Sequence, residues 1–121
     1  MVFEVRLTPC TLTTVTELFH PTRDELDLTA VMHALSDPAR RKVARMLAAQ
    51  GERACGTFPL GVTKATASHH FKVLREAGIT TTRVDGAHRY LTLRRDDLDA
   101  RFPGLLDAVL TAEPVAAVVQ V

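Results

Sequence analysis

The segment TKATASHHFKVLREAG, from Thr63 to Gly78, constrains the fold most, because both ends of a helix are written into it. The Thr63 hydroxyl can accept from an orphan amide of the first turn, which makes it a good N-cap. Gly78 suits the left-handed residue that ends a helix, since it lacks the Cβ that makes that conformation costly. The spacing predicts a helix of about fifteen residues between them. At about 100° per residue, Ala67, Phe71 and Leu74 form one stripe, with His70 and Ala77 on its flank. His69, Lys72, Ala65 and Glu76 point the opposite way. The two adjacent histidines therefore diverge, and a metal site using both rings is geometrically poor. His70 reads as a packing or hydrogen-bonding residue at the core edge, and His69 as a surface reader.

After this helix the period changes. ITTTRV (79–84) and HRYLTL (88–93) flank Asp85-Gly86, a strong hairpin signal, and Arg83, His88, Arg89, Arg94 and Arg95 decorate that hairpin. Upstream, a helix is expected after Asp27, with Leu28, Val31, Met32 and Leu35 on one face, closed by Ser36-Asp37-Pro38. Asp37-Pro38 opens the next helix with an N-cap and a proline where the missing amide costs nothing. Its body is read as burying Val43, Met46 and Leu47 and exposing Arg40, Arg41, Lys42 and Arg45, with Gly51 ending it. A short connecting helix is expected over 54–60, between these two and the capped helix, giving a helix-turn-helix. Asp96 is placed to cap a final helix carrying Leu98, Phe102, Leu105, Leu106, Val109 and Leu110, bent at Pro103-Gly104. VFEVRL, before Pro9, alternates weakly as a short strand would, and the tail PVAAVVQV is apolar. The expected organisation is a single domain: an extension at 1–26, a core at 27–112 and a tail at 113–121.

Charge is distributed unevenly behind a net value of +1. Residues 1–37 balance at −4, residues 38–95 at +9 and residues 96–121 at −4. A basic block between two acidic arms is the footprint expected for a polyanion such as double-stranded DNA, and the arms argue against a membrane surface as partner. The five Phe, one Tyr and absent Trp imply an aliphatic core, which a small helical domain commonly completes by dimerising. Cys10 and Cys55 form neither a disulfide framework nor a paired-thiolate motif. The absence of a transmembrane run or a signal-peptide pattern gives a cytoplasmic expectation. There is no Gly-rich phosphate loop, HExxH motif or recognisable nucleophile context, so an enzyme is not expected.

The phrases ALSDPARRKVARML (34–47), VTKATASHHFKVLREAGI (62–79) and RVDGAHRYLTL (83–93), in this order of elements, resemble the ArsR/SmtB family of bacterial regulators. The resemblance implies a mainly α fold with a small β-hairpin, a winged helix-turn-helix that dimerises through its first and last helices. It also implies a sequence-specific transcriptional regulator, a repressor, with the capped helix in the major groove. By position, Lys64, Thr66, Ser68, His69 and Lys72 take the reading role, and Arg83, His88 and Arg89 the wing role. The acidic arms then lie away from DNA. Many members sense metals, but the two common family sites are incomplete here: RACGTF offers only Cys55, and the last helix has no histidine. The remaining candidates are His20 and Asp24, joined by His33 or Cys10, a set that suits Ni²⁺ or Zn²⁺ as effector. Cys55 reads either as a small buried hydrophobe or as a redox switch. The rival function is a winged-helix protein-interaction module, or a regulator working with an additional protein partner, in which the basic face would be eroded.

Overall fold

The computed structural model describes residues 18–118. The strand expected in VFEVRL and the candidate ligand Cys10 lie outside the described residues. A 3₁₀ turn at Arg23–Glu25 leads into α1 (Leu28–Ala34), α2 (Pro38–Gln50), β1 (Arg53–Ala54) and a second 3₁₀ turn at Cys55–Thr57. The order continues with α3 (Lys64–Ala77), β2 (Thr80–Asp85), β3 (His88–Leu93), α4 (Arg95–Arg101) and α5 (Leu105–Val118). The strands form one antiparallel sheet in the order β1-β3-β2. Two helices followed by a hairpin on a helical bed make this a winged helix-turn-helix, with α2 and α3 as the paired helices and β2-β3 as the wing.

The starts of α1, α2 and α3 are the expected ones, each with its hydrogen bond. Asp27 accepts from the Ala30 amide, Asp37 from those of Ala39 and Arg40, and Thr63 from that of Thr66. Gly78 ends α3 at φ 87°, and an added Cβ there would also collide with Leu26. The core is aliphatic: Val31, Val43, Leu74, Ile79, Leu91 and Leu106 are almost wholly enclosed. Phe58 and Phe71 meet at 5.6 Å between ring centroids and close it on one side.

Five expectations need correction. Arg40 is buried, at 7% exposure, because it lies one turn before Val43 and Ala44 and two before Leu47, on the same inward stripe of α2. The connecting helix over 54–60 is instead strand β1 and a 3₁₀ turn. Arg53 and Ala54 pair with Leu91 and Tyr90 of the wing, while Gly56 and Pro59 give no support to a helix. Leu28 and Met32 do not share the buried face of Val31 and Leu35; they are 45% and 55% exposed, because a short helix on one side of a core covers only a narrow arc. Asp96 sits inside the first turn of α4 and does not cap it; the cap position is Arg94, whose amide bonds the Ile79 carbonyl and so prolongs the sheet. In the hairpin, Asp85 pairs with His88, so the two loop residues are Gly86 and Ala87, with Gly86 at φ 63°.

Candidate nucleic-acid interface

Capping by Thr63 starts α3 with Lys64 in its first turn, and helical geometry then distributes its side chains by phase. His70, Phe71, Leu74 and Ala77 are buried, whereas Lys64, Thr66, Ser68, His69 and Lys72 are all exposed. The adjacent histidines diverge as their phase predicts. The Thr66 hydroxyl is also drawn into the cap, 3.0 Å from that of Thr63.

Between the start of α3 and the wing lies an open cleft of about 380 Å³. Lys64 and Ser68 line it from the helix, His88 and Arg89 from the wing, and Cys55 from the turn after β1. Residues about twenty apart in sequence are thus brought to one concave surface. An ammonium, a guanidinium, an imidazole and a hydroxyl converging there, beside the free amides of a helix start, supply donors for a phosphodiester backbone. Thr66, His69 and Lys72 are not among the cleft-lining residues.

Arg83 is placed differently from its wing neighbours. Its guanidinium grips Glu52, with Nη2 to Oε1 at 3.1 Å and Nε to Oε2 at 3.3 Å, and lies over the Tyr90 ring at 4.6 Å. Asp85 is 3.8 Å away. The hydrogen bond from Arg83 holds the Glu52 carboxyl below its usual range. Arg83 therefore ties the sheet to the end of α2, while Arg89 faces the cleft. Burial pushes the Cys55 thiol up, against the opposing pull of Arg89 and Arg75, which suits a small hydrophobe rather than a reactive thiolate.

The proposed metal ligands are not assembled. His20 Nε2 accepts from the Thr82 amide of β2 at 3.0 Å, so the lone pair a metal would need is engaged. Burial lowers its basicity and the charges of Arg75 and Arg94 lower it further, outweighing a bond to the Leu18 backbone. Asp24 lies in the exposed turn Arg23–Glu25. His33 lines a separate groove between α1 and α3, with Val73, Glu76 and Ala77. Among the described residues no three His, Cys, Asp or Glu side chains are grouped to hold an ion.

Two residues beyond the sequence reading shape the site. Glu52 neutralises Arg83, and nothing in the sequence signals a pairing across 31 positions. Arg40 reaches His70 on the inner side of α3, with Nη1 3.2 Å from Nδ1. Its place on the Val43-Leu47 stripe was the available signal.

The comparisons agree with this architecture. A helix-turn-helix domain model matches residues 35–83. The chain is 42% identical over 82 residues to the uncharacterised HTH-type transcriptional regulator YceK of Bacillus subtilis, covering 65% of this chain and 82% of that protein. It is 36% identical over 73 residues to a cadmium resistance transcriptional regulatory protein CadC homologue of Staphylococcus aureus, covering 59% of this chain and 60% of that one. A crystallised fragment, residues 1–100, of a possible transcriptional regulatory protein from Mycobacterium bovis superposes with a TM-score of 0.54 at 31% identity, over 68% of this chain and 88% of the fragment. Among the described residues no helix is long and apolar enough to cross a membrane. With α2 and α3 paired, a donor-lined cleft beside the wing, and these relatives, the chain belongs to the helix-turn-helix transcriptional regulators.

Proposed function

We propose that the chain is a cytoplasmic repressor of the ArsR/SmtB type that binds a near-palindromic operator as a homodimer. The observation that carries this reading is the convergence of Lys64, Ser68, His88 and Arg89 on one cleft, beside an α3 face that exposes His69 and Lys72. In this reading α3 enters the major groove, His69 meets a base edge or phosphate, and Arg89 and His88 hold the flanking backbone. The dimer would form through α1 and α5. Leu28 and Met32 on α1 are exposed apolar side chains that a second copy would cover, and Val31, Leu35, Phe102 and Leu105 edge a shallow apolar depression nearby. Two reading helices then address half-sites about one helical turn, roughly 34 Å, apart or a multiple of it.

Gel shifts with a duplex selected from a randomised library, run at two salt concentrations, test the reading. Binding that weakens steeply with salt, and that drops for Lys64→Ala and Arg89→Ala, is expected. Equal binding by those variants would point instead to a winged protein-interaction module. Light scattering should return twice the 13.3 kDa chain mass, and a monomer at micromolar concentration would remove the dimer.

A metal effector rests on a narrower basis, the name of the cadmium-resistance relative. A saturable response to Ni²⁺ or Zn²⁺ that survives His20→Ala would exclude the N-terminal ligand set. An ion that binds without changing DNA affinity would not be an effector, since regulation requires it to distinguish two states.

A further inference from the structure

A guanidinium at the junction of three helices stands apart from the DNA-facing cations. Arg40 is 7% exposed, yet it donates from Nε to the Ala34 carbonyl at 2.7 Å and from Nη2 to the His33 carbonyl at 3.4 Å. Both carbonyls belong to the last turn of α1: the Ser36 amide and hydroxyl already reach that of His33, at 3.1 and 2.6 Å, whereas the buried Ala34 carbonyl takes its bond from Arg40. Its Nη1 lies 3.2 Å from Nδ1 of His70, which is 8% exposed on the inner face of α3. A guanidinium can only donate, so this bond requires the lone pair on Nδ1 and the proton on Nε2. One planar group carried by α2 thus holds the end of α1 and the middle of α3 together. His69, the residue before His70, is exposed on the same helix, so a tilt of α3 at His70 would carry His69 with it.

We propose that Arg40 is a positioning residue for DNA reading, clamping α3 through His70 to the C-terminal carbonyls of α1 and so setting the angle at which His69 and Lys72 meet the groove. The proposal rests on the operator reading above. Because α1 also carries the exposed Leu28 and Met32, the same clamp joins the dimer face to the reading face and sets the separation of the two reading helices.

The test uses the full chain and the duplex that the wild-type protein selects from a randomised library, with a scrambled duplex beside it and thermal melting of each variant. His70→Leu keeps most of the packing and removes the acceptor, whereas His70→Asn places an amide oxygen where Nδ1 stood. His70→Leu and Arg40→Met should lose about tenfold or more on the selected duplex, the scale of one buried charge-assisted bond, with little change on the scrambled one. His70→Asn should stay within about threefold of wild type, and Arg40→Met combined with His70→Leu should be no worse than either alone, as expected for one shared bond. Should Arg40→Met fail to fold, the His70 pair decides. Wild-type binding by folded His70→Leu, an equal loss in His70→Asn, equal losses on both duplexes, or failure of His70→Leu to fold would each overturn the proposal, the last by making the link structural. If the wild-type protein selects no duplex, the operator reading falls and the proposal with it; if it selects one, a negative result belongs to the Arg40–His70 link alone.

Discussion

Helix α2 and the α3-wing cleft are both basic, and they use their charge in opposite ways. In α2, Arg40 donates to the Ala34 carbonyl, Arg41 to the Leu35 carbonyl at 2.8 Å and Lys42 to the Pro59 carbonyl at 2.8 Å. These cations close helix and loop ends. Around the cleft, Lys64 and Arg89 are exposed and line a concave surface, and Lys72 is exposed on α3. The same division recurs elsewhere: Arg75 donates to the Phe19 carbonyl, Arg94 to that of Pro21 and Arg101 to that of Arg23. A balance of +9 over residues 38–95 therefore overstates the charge offered to a polyanion. Position decides which cations a partner can reach, and carbonyls left over at helix and loop ends are strong competitors for guanidinium groups.

The largest effect that could break this contrast is on stability. Arg40→Ala should lower the free energy of unfolding by about 3 kcal/mol, since it strands the buried Ala34 carbonyl, frees the buried His70 ring of its partner and leaves a void, and urea titration would measure it. A change under about 0.5 kcal/mol would mean that α2 is not held by its cations.

The next test lies on the other region. His69→Ala should weaken binding to a selected duplex by about 1–3 kcal/mol while shifting stability by less than about 0.5 kcal/mol, without the stability loss expected of Arg40→Ala. A destabilised fold with intact binding would erase the distinction.

Within the basic wing the contrast can be sharpened. Arg89→Ala and Lys64→Ala should each reduce the slope of log affinity against log salt by about one unit, as loss of a phosphate contact does. Arg83→Ala should reduce it less, because Glu52 and Tyr90 already engage that guanidinium. Equal slopes for Arg83→Ala and Arg89→Ala would show that the Glu52 pair opens on DNA.

The smallest effects belong to the N-terminal strap, which His20 and Arg23 fasten to the wing and α4. The Arg23 guanidinium, at 2.7 Å, and then Arg94 hold the Asp97 carboxyl below its ordinary value near 3.8, against a burial that would raise it. Its contribution to stability is complete above that ordinary value and is lost as pH falls through the lowered one. For His20, burial lowers the folded value from about 6.5, so folding favours the neutral ring. Stability from that bond is full above about 6.5 and drains as acidification protonates the unfolded chain first. Melting temperature followed from neutral to acid pH should show a shallow upper step that His20→Gln removes, because an amide oxygen can still accept from Thr82 and does not titrate. An unchanged upper step in that variant would place its origin elsewhere.

Much of the fold was legible because the signals that write it are local. Thr63 and Gly78 bound α3 through bonds reaching three or four residues, as do Asp27 for α1 and Asp37-Pro38 for α2. The opposite phases of His69 and His70 follow from the helical turn alone, and so did the list of exposed α3 side chains. Pro103 and Gly104 likewise announced the break between α4 and α5, where Gly104 stands at φ 83°.

What the sequence by itself determined, then, was the set of elements with strong local punctuation and the faces their periods impose. Tertiary structure alone decided which partner each long polar side chain meets. Arg40 finds His70 thirty residues away, Arg83 finds Glu52 across 31, and His20 meets the Thr82 amide across 62. It also decided that Arg53 and Ala54 become a third strand, since a two-residue segment has no period of its own and is a strand only because β3 offers it an edge. Local geometry is repeated every few residues and can be read along the chain. A contact between distant segments depends on how whole helices pack, and a flexible arginine can reach several carbonyls until that packing leaves it one.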